Sequence, residues 1–279
     1  MKHFLLFLFI GTWSISFCQE YKEYFDNGKV KTVGFYKNKK ASGNWTTYDS
    51  TGDTLSVVFY KRGKATGPFI KFIIGKNLRS KFESSNHTSN NYSDWRDERQ
   101  KMVGFYRKGV VNGKFILYYQ NGNIKQTGNY KKGVKNGKFI EYHDNGKLRH
   151  IEFYKKDKLD GDWEYYYNTG KIREKRVYHR GTLKTTIKYE HFENGNLKSS
   201  ESYMHKPKSN GYTSKKAHGP WKLYYENGNL RMESVYNDGI ADGEWKHYYE
   251  NGKIKSIMIY KNTKYVSFTK YDMNGEVIN

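Results

Sequence analysis

The sequence predicts an all-β chain, an elongated array of tandem β-hairpin repeats of about 24 residues forming a long twisted sheet or solenoid. Three observations predict it. Turn glycines, most of them preceded by Asn, recur at 28, 52, 75, 122, 146, 170, 195, 228, 252 and 275. Eight residues after most of them stands a tyrosine: Tyr36, Tyr60, Tyr130, Tyr154, Tyr178, Tyr203, Tyr236 and Tyr260. Between these marks the aromatic residues alternate with polar ones, which suits strands rather than helices. Self-similarity at a fixed period of a few tens of residues is the signature of a repeat array, and here several residue types recur in one register.

Taken in order, residues 1–18, MKHFLLFLFIGTWSISFC, have the form of a signal peptide. Lys2 supplies the positive start, Phe4–Ile10 the apolar core, and Ser16-Phe17-Cys18 a small-x-small cleavage site before Gln19. The apolar run is too short to span a bilayer, so no transmembrane segment is expected after cleavage. The expected destination is the periplasm, the cell envelope or the extracellular space. Acylation of Cys18 is the lesser alternative, because bulky Phe17 precedes it. Cys18 is the only cysteine. Cleavage after it would leave a chain without disulfides, thiol catalysis or cysteine-bound metal.

Residues 19–279 are expected to be repeats throughout. The clearest unit is Gly137–Gly161, with a first strand Gly137–His143, a turn Asp144-Asn145-Gly146 and a second strand Lys147–Tyr154. Asn-Gly between β-rich runs predicts a type I′ turn, with φ > 0 at both central residues. Lys155–Asp160 forms the return turn. One hairpin is not stable alone, so its copies must supply the missing neighbours. In Trp163-Glu164-Tyr165-Tyr166-Tyr167, positions 163, 165 and 167 share a face and Tyr166 takes the other, so both faces carry rings. Pro68 and Pro220 fall at the first residues of strands, where a missing N–H is tolerated. Two insertions interrupt the period: a polar one near 83–99, and one near 205–217 expected as a longer loop. Insertions in arrays map to loops, often on the functional face.

The formal net charge is +22. Such a balance favours anionic partners, and export disfavours nucleic acid among them. The alternative is that lysines solubilise a long sheet and block pairing at its edges.

The pattern Y-Y-x-N-G-x-[IL]-x5-Y-x-x-G-x3-G-x-[WF], seen in Tyr224–Tyr236 and onward to Trp245, resembles the variant type of MORN repeat. That repeat characterises bacterial proteins labelled YwqK-family antitoxins, and the likeness covers nearly all of 21–279. The resemblance implies an extended array of β-hairpins. It also implies an alternative function, an antitoxin or immunity protein that neutralises a toxin by direct binding.

No enzyme is expected. His143, His191 and His247 each replace a residue at a repeat position, and no zinc-protease, nucleophile-elbow or phosphate-loop motif occurs. No cofactor or metal is implied. Two repeated features are candidates for binding. The first is a basic column just after the period tyrosine, with Lys61, Arg107, Lys131 and Lys155 as its main members and Lys37 and Lys261 in the same slot. The second is a tyrosine ladder four residues before the turn glycine: Tyr118, Tyr142, Tyr166, Tyr224 and Tyr248. Solvated turn residues and core packing are the structural readings of the two. The function expected from these features is a non-catalytic exported repeat protein presenting a basic, aromatic-rich surface to a protein or to an anionic glycan or lipid surface. The sequence does not fix the oligomeric state.

Overall fold

The structure, a computed structural model, describes residues 18–73, 99–207, 213–261 and 263–278. All regular structure among them is β-strand, and within each unit the longer strands pair antiparallel with the long strands before and after them. The chain divides into two compact units, 1–111 and 112–279.

In the first unit the strands Cys18–Tyr24, Val30–Lys37, Lys40–Tyr48, Thr54–Lys61, Lys64–Ile73 and Gln100–Arg107 follow one another across the sheet. The expected turn glycine Gly75 and residues 83–98 of the first insertion lie outside the described residues. Ile73 pairs with Gln100, so this interruption falls at a strand end and the ladder keeps its register. Arg99 reaches back to Asp49 (2.5 Å) and Asp53 (2.6 Å).

The second unit repeats the scheme. Gly137–Tyr142 and Leu148–Lys155 are the two strands of the clearest hairpin, each within a residue or so of its expected limits. The second insertion departs from expectation. Its described residues extend a hairpin, Leu197–Pro207 against Thr213–Tyr224, through pairs such as His205 with Lys215 and Pro207 with Thr213. Lengthening two paired strands satisfies the backbone N–H and C=O groups that an irregular loop would leave to solvent.

The hairpins turn differently at their two ends, which corrects the expected turn type. At Asp144-Asn145-Gly146 only Gly146 has positive φ (80°). Gly146 N–H donates to His143 C=O (2.9 Å), and His143 N–H donates to Lys147 C=O (2.8 Å). This is a type I turn closed by a glycine bulge, a three-residue loop. Asn145 earns its place through its side chain. Its Oδ1 accepts from Lys147 N–H (3.0 Å), and its Nδ2 donates to Asn168 C=O in the next turn (3.0 Å). The same link joins Asn27 to Ser50 and Asn194 to Glu226. The two-residue type I′ turns lie at the opposite end, as at Lys156 (φ 52°) and Asp157 (φ 63°), or Arg62 and Gly63.

One face of each unit is packed by a ladder of rings. In the first unit it runs Tyr21, Tyr36, Trp45, Tyr60, with successive centroids from Tyr36 onward 5.1 and 6.0 Å apart. In the second it runs Phe115, Tyr130, Phe139, Tyr154, and again from Tyr203 through Trp221, Tyr236 and Trp245 to Tyr260. Phe139 has no exposed surface. Its ring lies directly over Gly128, where an added Cβ would meet it at 2.4 Å, and Trp45 lies likewise over Gly34.

Candidate functional site

Lys61, Arg107, Lys131 and Lys155 each end a strand just before a two-residue turn. All four are exposed. Among the described residues, none has a carboxylate within ion-pair distance. The first two belong to one unit and the last two to the other. Within a unit, equivalent residues of successive hairpins stand two strands apart, roughly 9–10 Å. The turn also brings a second cation opposite the first: Lys37 pairs with Lys40, Lys61 with Lys64, and Lys155 with Lys158. Like charges directly opposite each other destabilise a sheet. Stability therefore gives no reason for this doubled rim.

The tyrosines Tyr118, Tyr142, Tyr166, Tyr224 and Tyr248 are half-buried on the face opposite the ring ladder. Tyr166 donates to Glu164 Oε2 and Tyr248 to Glu233 Oε1, both at 2.7 Å. Burial first, and then the carboxylate, pushes both phenols up to about 12. Tyr166 and Tyr248 are thereby held to the sheet. Tyrosines one residue further on tie several hairpins to the next. Tyr119 donates to Tyr142 C=O (2.7 Å) and Tyr225 to Tyr248 C=O (2.8 Å). His143 does the same job, with its Nε2 3.1 Å from Tyr166 C=O, so its place in the tyrosine slot is structural.

Two features escaped the sequence reading. The first is a row of exposed apolar side chains two residues before the basic ones: Phe35 (42 % exposed), Phe59 (38 %), Phe105 (51 %) and Phe153 (37 %). Residues i and i+2 of a strand share a face, so ring and cation stand together on the side opposite the ladder. The repeated tripeptides Phe35-Tyr36-Lys37, Phe59-Tyr60-Lys61, Phe105-Tyr106-Arg107 and Phe153-Tyr154-Lys155 carried the signal.

The second is a charged break in the ring ladder. Glu152 and Arg176 stand where Gly34 and Gly128 accept rings. Trp163 donates its indole N–H to Glu152 (3.2 Å) and stacks on Tyr165 at 5.7 Å instead of joining the ladder. Arg176 lies over the Trp163 ring at 4.6 Å and binds Glu174 through two nitrogens (2.9 and 3.2 Å). His150 faces Glu141 (3.4 Å) and Glu152 (3.7 Å). Burial still holds its pKa below the ordinary value, with Arg149 and Lys135 acting in the same direction. Each charge in this break has a partner within the sheet. Among the described residues no group of three or more His, Cys, Asp or Glu is placed to hold a metal ion. No helix among them is long and apolar enough to cross a membrane.

Tandem hairpins with ring-over-glycine packing and asparagine-linked turns define a β-repeat protein. Six segments, 20–38, 111–132, 135–156, 159–180, 217–238 and 241–262, match the family described as MORN repeat variant. A comparison with curated proteins gives no match. Among solved structures, the chain is similar to one titled "Crystal Structure of TcdB2-TccC3", with 12 % identity, a TM-score of 0.20, and cover of 93 % of this chain and 15 % of that one. Another is the "Structure of Photorhabdus luminescens Tc holotoxin pore, Mutation TccC3-D651A", with 12 % identity, a TM-score of 0.16, and cover of 93 % and 16 %. The chain spans about 15 % of the length of these proteins.

Proposed function

We propose that this chain is a non-catalytic, exported repeat protein that binds an anionic partner at the cell envelope through the basic turn residues of each of its two units. One observation carries the reading: Lys61, Arg107, Lys131 and Lys155 are exposed, none of them has a carboxylate within ion-pair distance among the described residues, and in two of the four hairpins a second lysine faces them across the turn. Asp160 feels the charge of Lys155 but does not pair with it. Exposed cations of this kind in a chain of net charge +22 suit a ligand that brings the counter-charge. The charge alone would attract any polyanion, so the position of the rim is what distinguishes the proposal.

The test compares two quadruple charge reversals on immobilised heparin. One carries Lys61→Glu, Arg107→Glu, Lys131→Glu and Lys155→Glu. The other reverses Lys125, Lys147, Lys171 and Lys198, which lie at the opposite ends of the strands. Both lose the same charge. The rim variant is expected to elute at much lower salt than the control, because attraction at exposed sites is screened within ~8 Å at physiological ionic strength. Equal elution of the two would refute the rim and leave only diffuse charge.

A further inference from the structure

In the first unit the rim is more than a row of charges. Phe35, Phe59 and Phe105 each present a ring on the same face as Lys37, Lys61 and Arg107. The strands between them carry small side chains at the facing positions. Ser42 pairs with Phe35 and Asn44 with Phe59, while Pro68 pairs with Phe105. At Gly67, beside Phe59, an added Cβ would come no nearer the ring than ordinary contact, 3.9 Å. Each ring therefore keeps two-fifths to half of its surface open. Glu20, the acid opposite Phe35, is occupied by Lys22 at 3.1 Å. Large apolar rings left exposed on a sheet face are an expense that a solubilising role for lysine does not explain.

We infer that this ring-and-cation row binds an acidic polysaccharide bearing one anionic group per disaccharide. The inference rests on the basic rim proposed above and names its ligand. A ring and a cation recur together every two strands, about 9–10 Å. A β-linked disaccharide advances by a similar length. Its apolar sugar face can lie on a phenylalanine while its carboxylate meets the cation two residues on. Nucleotides along an extended single strand follow each other more closely than this, so a base on each ring and a phosphate on each cation do not fall into register. A bilayer has no register along the row, so the fixed pairing of ring and cation at each step would serve no purpose in binding one.

The test uses the full chain at constant low salt with four probes: hyaluronate, linear polyphosphate, a thymidine oligonucleotide, and vesicles containing phosphatidylglycerol. Phe35→Ala/Phe59→Ala/Phe105→Ala should weaken hyaluronate binding at least ~10-fold and leave polyphosphate binding within ~2-fold, since polyphosphate offers charge without a stacking face. Phe→Tyr at the same three positions should restore hyaluronate binding, which separates a stacking role from a folding defect. Lys37→Gln/Lys61→Gln/Arg107→Gln should weaken both probes. The inference is overturned if the alanine variant binds hyaluronate as the unmodified chain does. It is also overturned if the rings matter more for the oligonucleotide or the vesicles than for hyaluronate. In those cases the basic rim still stands, provided the glutamine variant loses polyphosphate binding. If that loss is absent too, the proposed function falls with it.

Discussion

Gly128 and Gly146 are both glycines of the repeat, yet the structure gives them opposite reasons for being glycine. At Gly128 the backbone is extended and the obstacle is Phe139, whose ring carbons lie 2.4 Å from the position of an added Cβ. Ordinary contact begins near 3.4 Å, so the ring must move by about an ångström. Phe139 has no exposed surface and rings on either side at 5.6 and 5.1 Å, so it has nowhere to go within the ladder. Overpacking of this kind costs about 1–3 kcal/mol, and the ceiling is the cost of losing the buried ring altogether, about 3–5 kcal/mol. Gly128→Ala is therefore expected to destabilise by roughly 2 kcal/mol. At Gly146 nothing lies within 4 Å, and only the left-handed φ of 80° opposes a side chain. Gly146→Ala should cost about 1–2 kcal/mol. The two singles overlap in size, so the decisive assay is a double-mutant cycle in urea, read by circular dichroism at constant m-value. With Phe139→Ala in place, the cost of Gly128→Ala should fall to near zero, and that of Gly146→Ala should stay as it was. If Gly128→Ala costs the same in both backgrounds, ring-over-glycine packing is not what holds the hairpins together.

Burial holds His150, His205 and His247 below the ordinary histidine pKa of ~6.5. Groups with a depressed folded pKa leave stability intact above the unfolded value and cost stability as pH falls below it, because only the unfolded chain takes up the proton easily. The urea midpoint should therefore drop between pH 7.5 and 5.5, and the triple His→Gln variant should drop less; an equal drop would assign the loss to other groups. Asn145→Ala removes a turn acceptor and the donor to Asn168, and should cost about 0.5–1.5 kcal/mol. Asn145→Asp keeps the acceptor and should lose about half as much, measured by the same urea midpoint.

The architecture was legible because the repeat writes the same constraint many times. A tyrosine eight residues after most of the turn glycines fixes which face is packed, and the strand limits follow within a residue or two. The turn type was misjudged because Asn-Gly has two uses. Asn tolerates positive φ in a type I′ pair, but its side chain also closes a type I turn and bonds to the neighbouring hairpin, and here the second use prevails at Asn145. The strand pairing of 205–207 with 213–215 was missed because a polar insertion has no periodic signature of its own. The site was only half legible for a related reason. Lys61 and Lys155 could be placed at turns by count, but whether Phe59 and Phe153 pack or stand free depends on what lies beside them across the sheet. Asn44 beside Phe59 and Gly161 beside Phe153 come from other strands of the sheet, so the exposure of each ring follows from register. Trp45 and Phe139 have the opposite fate for the same kind of reason, since each meets a glycine on the facing strand and sinks onto it. A ring can sink onto a glycine, as Trp45 and Phe139 do, or pack opposite a side chain, as Trp221 does at Ser234 and Trp245 at Met258. Register, rather than hydrophobicity, therefore decides which aromatic residues join the ladder, and the rings one residue before ladder tyrosines fall on the other face and stay partly exposed.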